Sequence, residues 1–104
     1  MPASFTFTPA IAGTTNATID NTGTIKATVT GAGNALRLLN TGTTTAFVTI
    51  DSTGTLTASK TTSMPIVNGA APEVVSIPAT GTVYVTGITA SGTTALYATR
   101  GNAV

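Results

Sequence analysis

The sequence predicts an all-β chain: a single antiparallel β-sandwich, with a jelly roll as one of the wrappings it allows. Three features carry this. Threonine dominates on a background of alanine and glycine, and threonine is stiff at χ1 and favours strands. No segment holds a 3.6-residue apolar period for three turns, so no significant helix is expected. Short β-type runs separated by turn residues fill all 104 residues, a length that suits one domain. The domain is taken as 1–104, with 1–14 as a candidate extended N-terminal arm.

Taken in order, Ser4–Thr8 puts Phe5 and Phe7 on one sheet face, because side chains alternate along a strand. Ala17–Asp20 and Thr24–Thr30 flank a first turn. Ala35–Leu39 sets Leu36 and Leu38 on one face and Arg37 on the other, and Thr45–Ile50 pairs Val48 with Ile50. Thr55–Ser59 follows a second turn. Met64–Val67 and Val74–Ile77 lie among Pro65, Pro72 and Pro78, which mark strand starts, edges or crossovers because proline cannot donate within a central ladder. Thr82–Ile88, with Val83 and Val85 on one face, and Thr94–Thr99 complete the series.

The punctuation repeats. Thr18-Ile19-Asp20-Asn21-Thr22-Gly23-Thr24-Ile25 aligns with Thr49-Ile50-Asp51-Ser52-Thr53-Gly54-Thr55-Leu56, and Ser76-Ile77-Pro78-Ala79-Thr80-Gly81-Thr82-Val83 is a looser third copy. A glycine at the shared position supplies the positive φ that ends a hairpin loop with a G1 bulge. The aspartate before it can bond the turn backbone through its side chain. These read as hairpin corners. Turn chemistry explains every residue in them without a ligand.

Composition closes most chemistry. The chain has no Cys and no His, so it offers no disulfide, thiol nucleophile, zinc knuckle, imidazole base or ordinary transition-metal site. Its carboxylates are Asp20, Asp51 and Glu73. No catalytic, cofactor or metal residues are therefore assigned, and the expectation is not an enzyme. Four cations against three anions make no electrostatic footprint for nucleic acid. No apolar run approaches the ~20 residues of a membrane span, and the N-terminal stretch carries no signal-peptide pattern. A soluble protein made in a cytoplasm is expected.

Two motifs tempt and fail. Asp51-Ser52-Thr53-Gly54-Thr55 is one residue from the phosphorylation motif of P-type ion pumps, which has lysine after the aspartate and needs Mg²⁺ and a parallel α/β sheet. Aspartic proteases place Asp-Thr-Gly after an apolar pair, and Asp51-Ser52-Thr53-Gly54 has one residue too many.

The core must be thin and aliphatic, since the chain has five aromatics: Phe5, Phe7, Phe47, Tyr84 and Tyr97. Phe5 and Phe7 are candidates for anchoring an N-terminal arm on a partner, the alternative being that both fill the core. Arg37 faces away from Leu36 and Leu38, either into solvent or onto an acidic patch of a neighbouring subunit, for which its planar fork is suited. Tyr84 and Tyr97 fit a core with wet hydroxyls or an interface equally well.

Two stretches carry a resemblance. Ala35-Leu36-Arg37-Leu38-Leu39-Asn40-Thr41-Gly42 runs on to Thr45-Ala46-Phe47-Val48-Thr49-Ile50. Ser63-Met64-Pro65-Ile66 continues through Glu73-Val74-Val75-Ser76 to Val83-Tyr84-Val85-Thr86-Gly87-Ile88 and Ala95-Leu96-Tyr97-Ala98-Thr99-Arg100-Gly101. Over residues 35–101 this pattern resembles the small minor virion proteins that accompany the major capsid protein in heads of tailed bacteriophages. Residues 1–34 share in no such likeness. The resemblance implies a cement or decoration protein of the virion, assembled in the host cytoplasm. Its implied partners are the major capsid protein and further copies of itself in a homo-oligomer, with no cofactor. The alternative is a tail, spike or head–tail β-module gripping a host glycan, against which the lack of Trp argues mildly.

Overall fold

The computed structural model describes residues 7–103. Its eight strands are β1 (Phe7–Ile19), β2 (Ile25–Val29), β3 (Ala35–Asn40), β4 (Ala46–Asp51), β5 (Met64–Ile66), β6 (Glu73–Ser76), β7 (Val83–Thr89) and β8 (Thr94–Ala103), with no helix among the described residues. They form two four-stranded sheets, sheet A in the order β1-β8-β3-β6 and sheet B in the order β2-β7-β4-β5. The order is that of one long antiparallel ribbon rolled over on itself. β1 runs against β8, β2 against β7, β3 against β6 and β4 against β5, with alternate pairs falling in opposite sheets. Ladders β3–β8 and β4–β7 then close each sheet. This wrapping is a jelly roll.

Between the sheets lie Ile19, Val29, Leu36, Leu38, Val48, Ile66, Val83, Val85 and Leu96, with Ala27, Ala46 and Ala98 where the sheets approach. The core is aliphatic, as the shortage of aromatic residues requires.

Three expectations from the sequence change. The Thr-Gly-Thr turns do hold glycine at positive φ, 79° at Gly23, 73° at Gly54 and 93° at Gly81. However, the first and third join strands of different sheets, β1 to β2 and β6 to β7, so they are crossovers rather than G1-bulge hairpins. Turn residues encode a reversal of direction, but not whether the chain re-enters its own sheet. Second, Phe7 and Thr8, the described part of the expected strand Ser4–Thr8, and residues 17–19 of the expected strand Ala17–Asp20 are not separate elements but parts of one strand. Residues 7–14 of the expected arm belong to β1, which pairs Phe7 with Ala103 and Ile19 with Thr94 across a register shift between Pro9 and Thr14. An edge strand tolerates the proline and absorbs the extra residues as a bulge. Phe5 and the rest of the arm lie outside the described residues.

Third, Thr55–Ser59 forms no strand, because both sides of β4 are already occupied, by β7 and β5. Residues 52–63 instead form a strap across the outer face of sheet B. Ala58 N–H donates to Gly23 O at 3.2 Å and Lys26 Nζ to Leu56 O at 3.3 Å. Gly54 sits on the Tyr84 ring, where an added Cβ would lie 3.3 Å from ring carbons. Thr49 Oγ1 and Ser63 Oγ share a hydrogen bond of 2.6 Å at the strap's far end. The strap explains why β7 is buried on both faces at Val85, Thr86 and Ile88.

Thr86 Oγ1 is buried with no partner. An unpaired hydroxyl costs about 1–3 kcal/mol of desolvation, and valine has nearly its shape. Thr86→Val is therefore expected to stabilise the domain by about 1 kcal/mol, read as a raised urea midpoint. A lowered midpoint would mean that the hydroxyl is satisfied.

Each end of the sandwich is pinned by one buried polar side chain. At one end Arg100, fully buried, donates from Nε to Gly33 O at 3.1 Å, from Nη2 to Pro78 O at 2.7 Å and from Nη1 to Gly81 O. The two loops it holds are also bonded to each other, Gly33 N–H to Ala79 O at 2.9 Å and Ile77 N–H to Asn34 O at 3.0 Å. At the other end Asn40 donates to Thr44 O at 2.8 Å and Ile66 O at 2.9 Å, while its Oδ1 accepts from Gly42 N–H at 3.0 Å and Thr94 Oγ1 at 2.6 Å.

Candidate functional site

The two aspartates of the repeated turns act on their own backbones. Asp20 Oδ1 accepts from the Thr22 hydroxyl and, at 2.9 Å, from Thr22 N–H. Asp51 Oδ2 accepts from Thr53 Oγ1 at 2.7 Å and from Gly54 N–H at 2.8 Å. Asp20 O accepts from Thr89 N–H, whereas Asp51 pairs with Tyr84. The carboxylates thus sit at opposite ends of β7, about 16 Å apart at 3.3 Å per residue. They cannot share a proton as a protease dyad does. Among the described residues no three His, Cys, Asp or Glu come together as a metal set. A cleft of about 290 Å³ beside Asp51 is lined by Ile50, Ser52, Ser76, Ile77, Pro78 and Val83.

Hydrogen bonding holds both carboxyls below the ordinary aspartate value. The Thr22 hydroxyl is the main cause at Asp20; at Asp51 it is the Thr53 hydroxyl, opposed by desolvation. A pKa lowered by folding stabilises above the unfolded value, and that contribution disappears as pH falls through the folded one. The melting temperature is thus expected to fall below about pH 4, and to fall less in the double variant Asp20→Asn, Asp51→Asn. An identical acid limb in the variant would remove the turns as its cause.

What remains is the surface. Edge-to-edge pairing is obstructed at all four sheet edges. β1 carries Pro9 and a bulge, and β6 has four residues with Glu73 and is flanked by Pro72 and Pro78. β2 carries Lys26, and β5 has three residues with Pro65 at its centre. Short, charged, bulged or proline-bearing edges are how sheets avoid adding strands. The outer face of sheet B lies under the strap. The outer face of sheet A does not.

The alternation of β1, β8, β3 and β6 sends Phe7, Tyr97, Thr99, Arg37, Leu39 and Val74 to that outer face. Tyr97 is the one of them counted among the exposed large hydrophobics. Phe7 lies across β8: an added Cβ at Gly101 would sit 2.8 Å from Phe7 Cζ, so the glycine makes room for the ring. Arg37 stands over that ring, its Cζ 5.3 Å from the centroid, within cation–π range. Thr14 Oγ1 and Thr99 Oγ1 hydrogen-bond at 2.9 Å alongside.

Two of the three residues singled out from the sequence are therefore in contact. Phe7 is not a core residue, and Arg37 makes no ion pair among the described residues. Phe5 lies outside them. Sequence reasoning left Tyr97 open and passed over Leu39 and Val74, although Tyr97 alternates with the buried Leu96 and Ala98. No family model, no curated protein and no solved structure matches the chain.

Proposed function

We propose that this chain is a structural protein of a bacteriophage virion, a cement or decoration protein that binds the capsid through the outer face of sheet A. One observation supports it above others: among the described residues the strap lies over the outer face of sheet B and the edges are blunted, which leaves the outer face of sheet A uncovered, with Tyr97 exposed and Phe7, Arg37, Leu39 and Val74 half-buried amid Thr and Ala side chains. Thr and Ala lose little rotamer freedom when covered, and a face with one charge escapes most of the desolvation penalty of association. The likeness of residues 35–101 to minor head proteins supplies the partner, the major capsid protein. Copies seated around a capsid symmetry axis would stand side by side as a homo-oligomer.

The test is the ratio of this chain to the major capsid protein in purified particles, by quantitative mass spectrometry. A fixed ratio that is a simple fraction of the capsid copy number is expected. Absence from particles would overturn the reading, and a handful of copies per particle would move the chain to the tail, spike or head–tail junction.

A further inference from the structure

We infer that the occupant of the sheet A face presents a carboxylate to Arg37, and that Phe7 orients the guanidinium to receive it; this rests on the capsid-binding reading above. Arg37 is the one ionised side chain that the registers of β1, β8, β3 and β6 send to this face. Its place on β3, an interior strand, keeps it under the footprint of anything covering the sheet. A purely apolar cover would bury an unpaired guanidinium, which is far costlier than burying a paired one. A second copy laid face to face about a two-fold axis through the middle of the sheet would bring the two Arg37 groups together. Like charges there would oppose the contact. Carbonyls alone satisfy Arg100 inside the fold, but a charge on a docking face is best matched by an opposite charge on the partner, so the occupant is a different surface that carries an Asp or Glu side chain.

The geometry suits a carboxylate. The Phe7 ring, seated by Gly101, lies beneath the guanidinium with its centroid 5.3 Å from Arg37 Cζ, a cation–π contact that favours one placement of the side chain before the partner arrives. An arginine backed on one side by an aromatic ring still offers N–H groups at its rim, in the fork that accepts a carboxylate through two parallel hydrogen bonds. Lysine offers a point charge without that fork.

The experiment measures retention of Arg37→Gln, Arg37→Lys, Arg37→Glu and Phe7→Leu chains on purified particles, each competed against the unaltered chain. Circular dichroism and melting of the free variants serve as fold controls. Arg37→Gln is expected to lose about 10- to 100-fold in apparent affinity, Arg37→Glu more, Arg37→Lys less than Arg37→Gln, and Phe7→Leu several-fold. Treating particles bearing the Arg37→Lys chain with a zero-length carbodiimide is expected to link position 37 to an acidic residue of the capsid protein. Retention of Arg37→Glu equal to the unaltered chain, or a position-37 link only to another copy of this chain, would overturn the carboxylate proposal and leave the capsid reading standing. Absence of the unaltered chain from particles would instead defeat the capsid reading.

Discussion

Replacing Arg100 by Met is expected to lower the stability of the domain by about 3–5 kcal/mol, the largest effect of any single change outside the aliphatic core. The guanidinium is wholly buried and faces no carboxylate among the described residues; its acceptors are the carbonyls of Gly33, Pro78 and Gly81. Methionine fills similar volume but leaves those three oxygens without their donors, at about 1–3 kcal/mol for each that water cannot reach. It also removes the side-chain tie between the β2–β3 and β6–β7 loops, leaving the two backbone hydrogen bonds between them to close that end of the sandwich. Against the roughly 5–15 kcal/mol available to a domain of this size, such a loss leaves little margin. Arg100→Lys keeps the charge without the fork and should recover only part. Urea unfolding checks this, with the midpoint falling at unchanged slope. A cost below about 1 kcal/mol would mean that the loops stand without the arginine.

Asn40 is expected to rank second, with Asn40→Ala costing about 2–4 kcal/mol. Its amide uses both ends: two carbonyls, of Thr44 and Ile66, take its hydrogens, and Gly42 N–H and the Thr94 hydroxyl bond its oxygen. Those partners come from the β3–β4 loop, β5 and β8, so one side chain ties three parts of the chain together at the end opposite Arg100. Asn40→Asp should not rescue, because a carboxylate has no hydrogen for the two carbonyls and adds a buried charge beside them. Thr94→Val removes one bond and should cost about 1 kcal/mol. Equal losses for Thr94→Val and Asn40→Ala would contradict the joint role given to the amide.

The sheet faces were partly legible in the sequence. Leu36 and Leu38 against Arg37, and Val83 with Val85 on one face, follow the two-residue period, and the buried faces confirm them. Which strands pair was not legible, because Asp20–Gly23 and Pro78–Gly81 specify tight turns that serve a crossover as well as a hairpin. The strap was missed because Thr55–Ser59 has strand propensity but no free ladder to join. In Thr-rich strands the contrast between inner and outer positions is weak. Phe7 therefore looked as suited to the core as to the surface, and only its pairing with Ala103 puts it outside. Arg100 did leave a signal: Leu96, Ala98 and Arg100 are alternate residues of one strand, which puts the charge on the inward side. A cation on an apolar stripe needs internal acceptors, and the crossover loops provide them.

The claim that the outer face of sheet A is the docking face is tested most directly by hydroxyl-radical footprinting of the chain, free and in purified particles. Tyr97 on sheet A, Leu56 on the strap and Val67 beyond β5 are 36%, 47% and 52% exposed in the free chain, so all three should react there. On particles, Tyr97 and Leu39 are expected to become protected while Leu56 and Val67 keep their reactivity. Protection of Leu56 and Val67 with Tyr97 still reactive would contradict the account and put the partner on the strapped side.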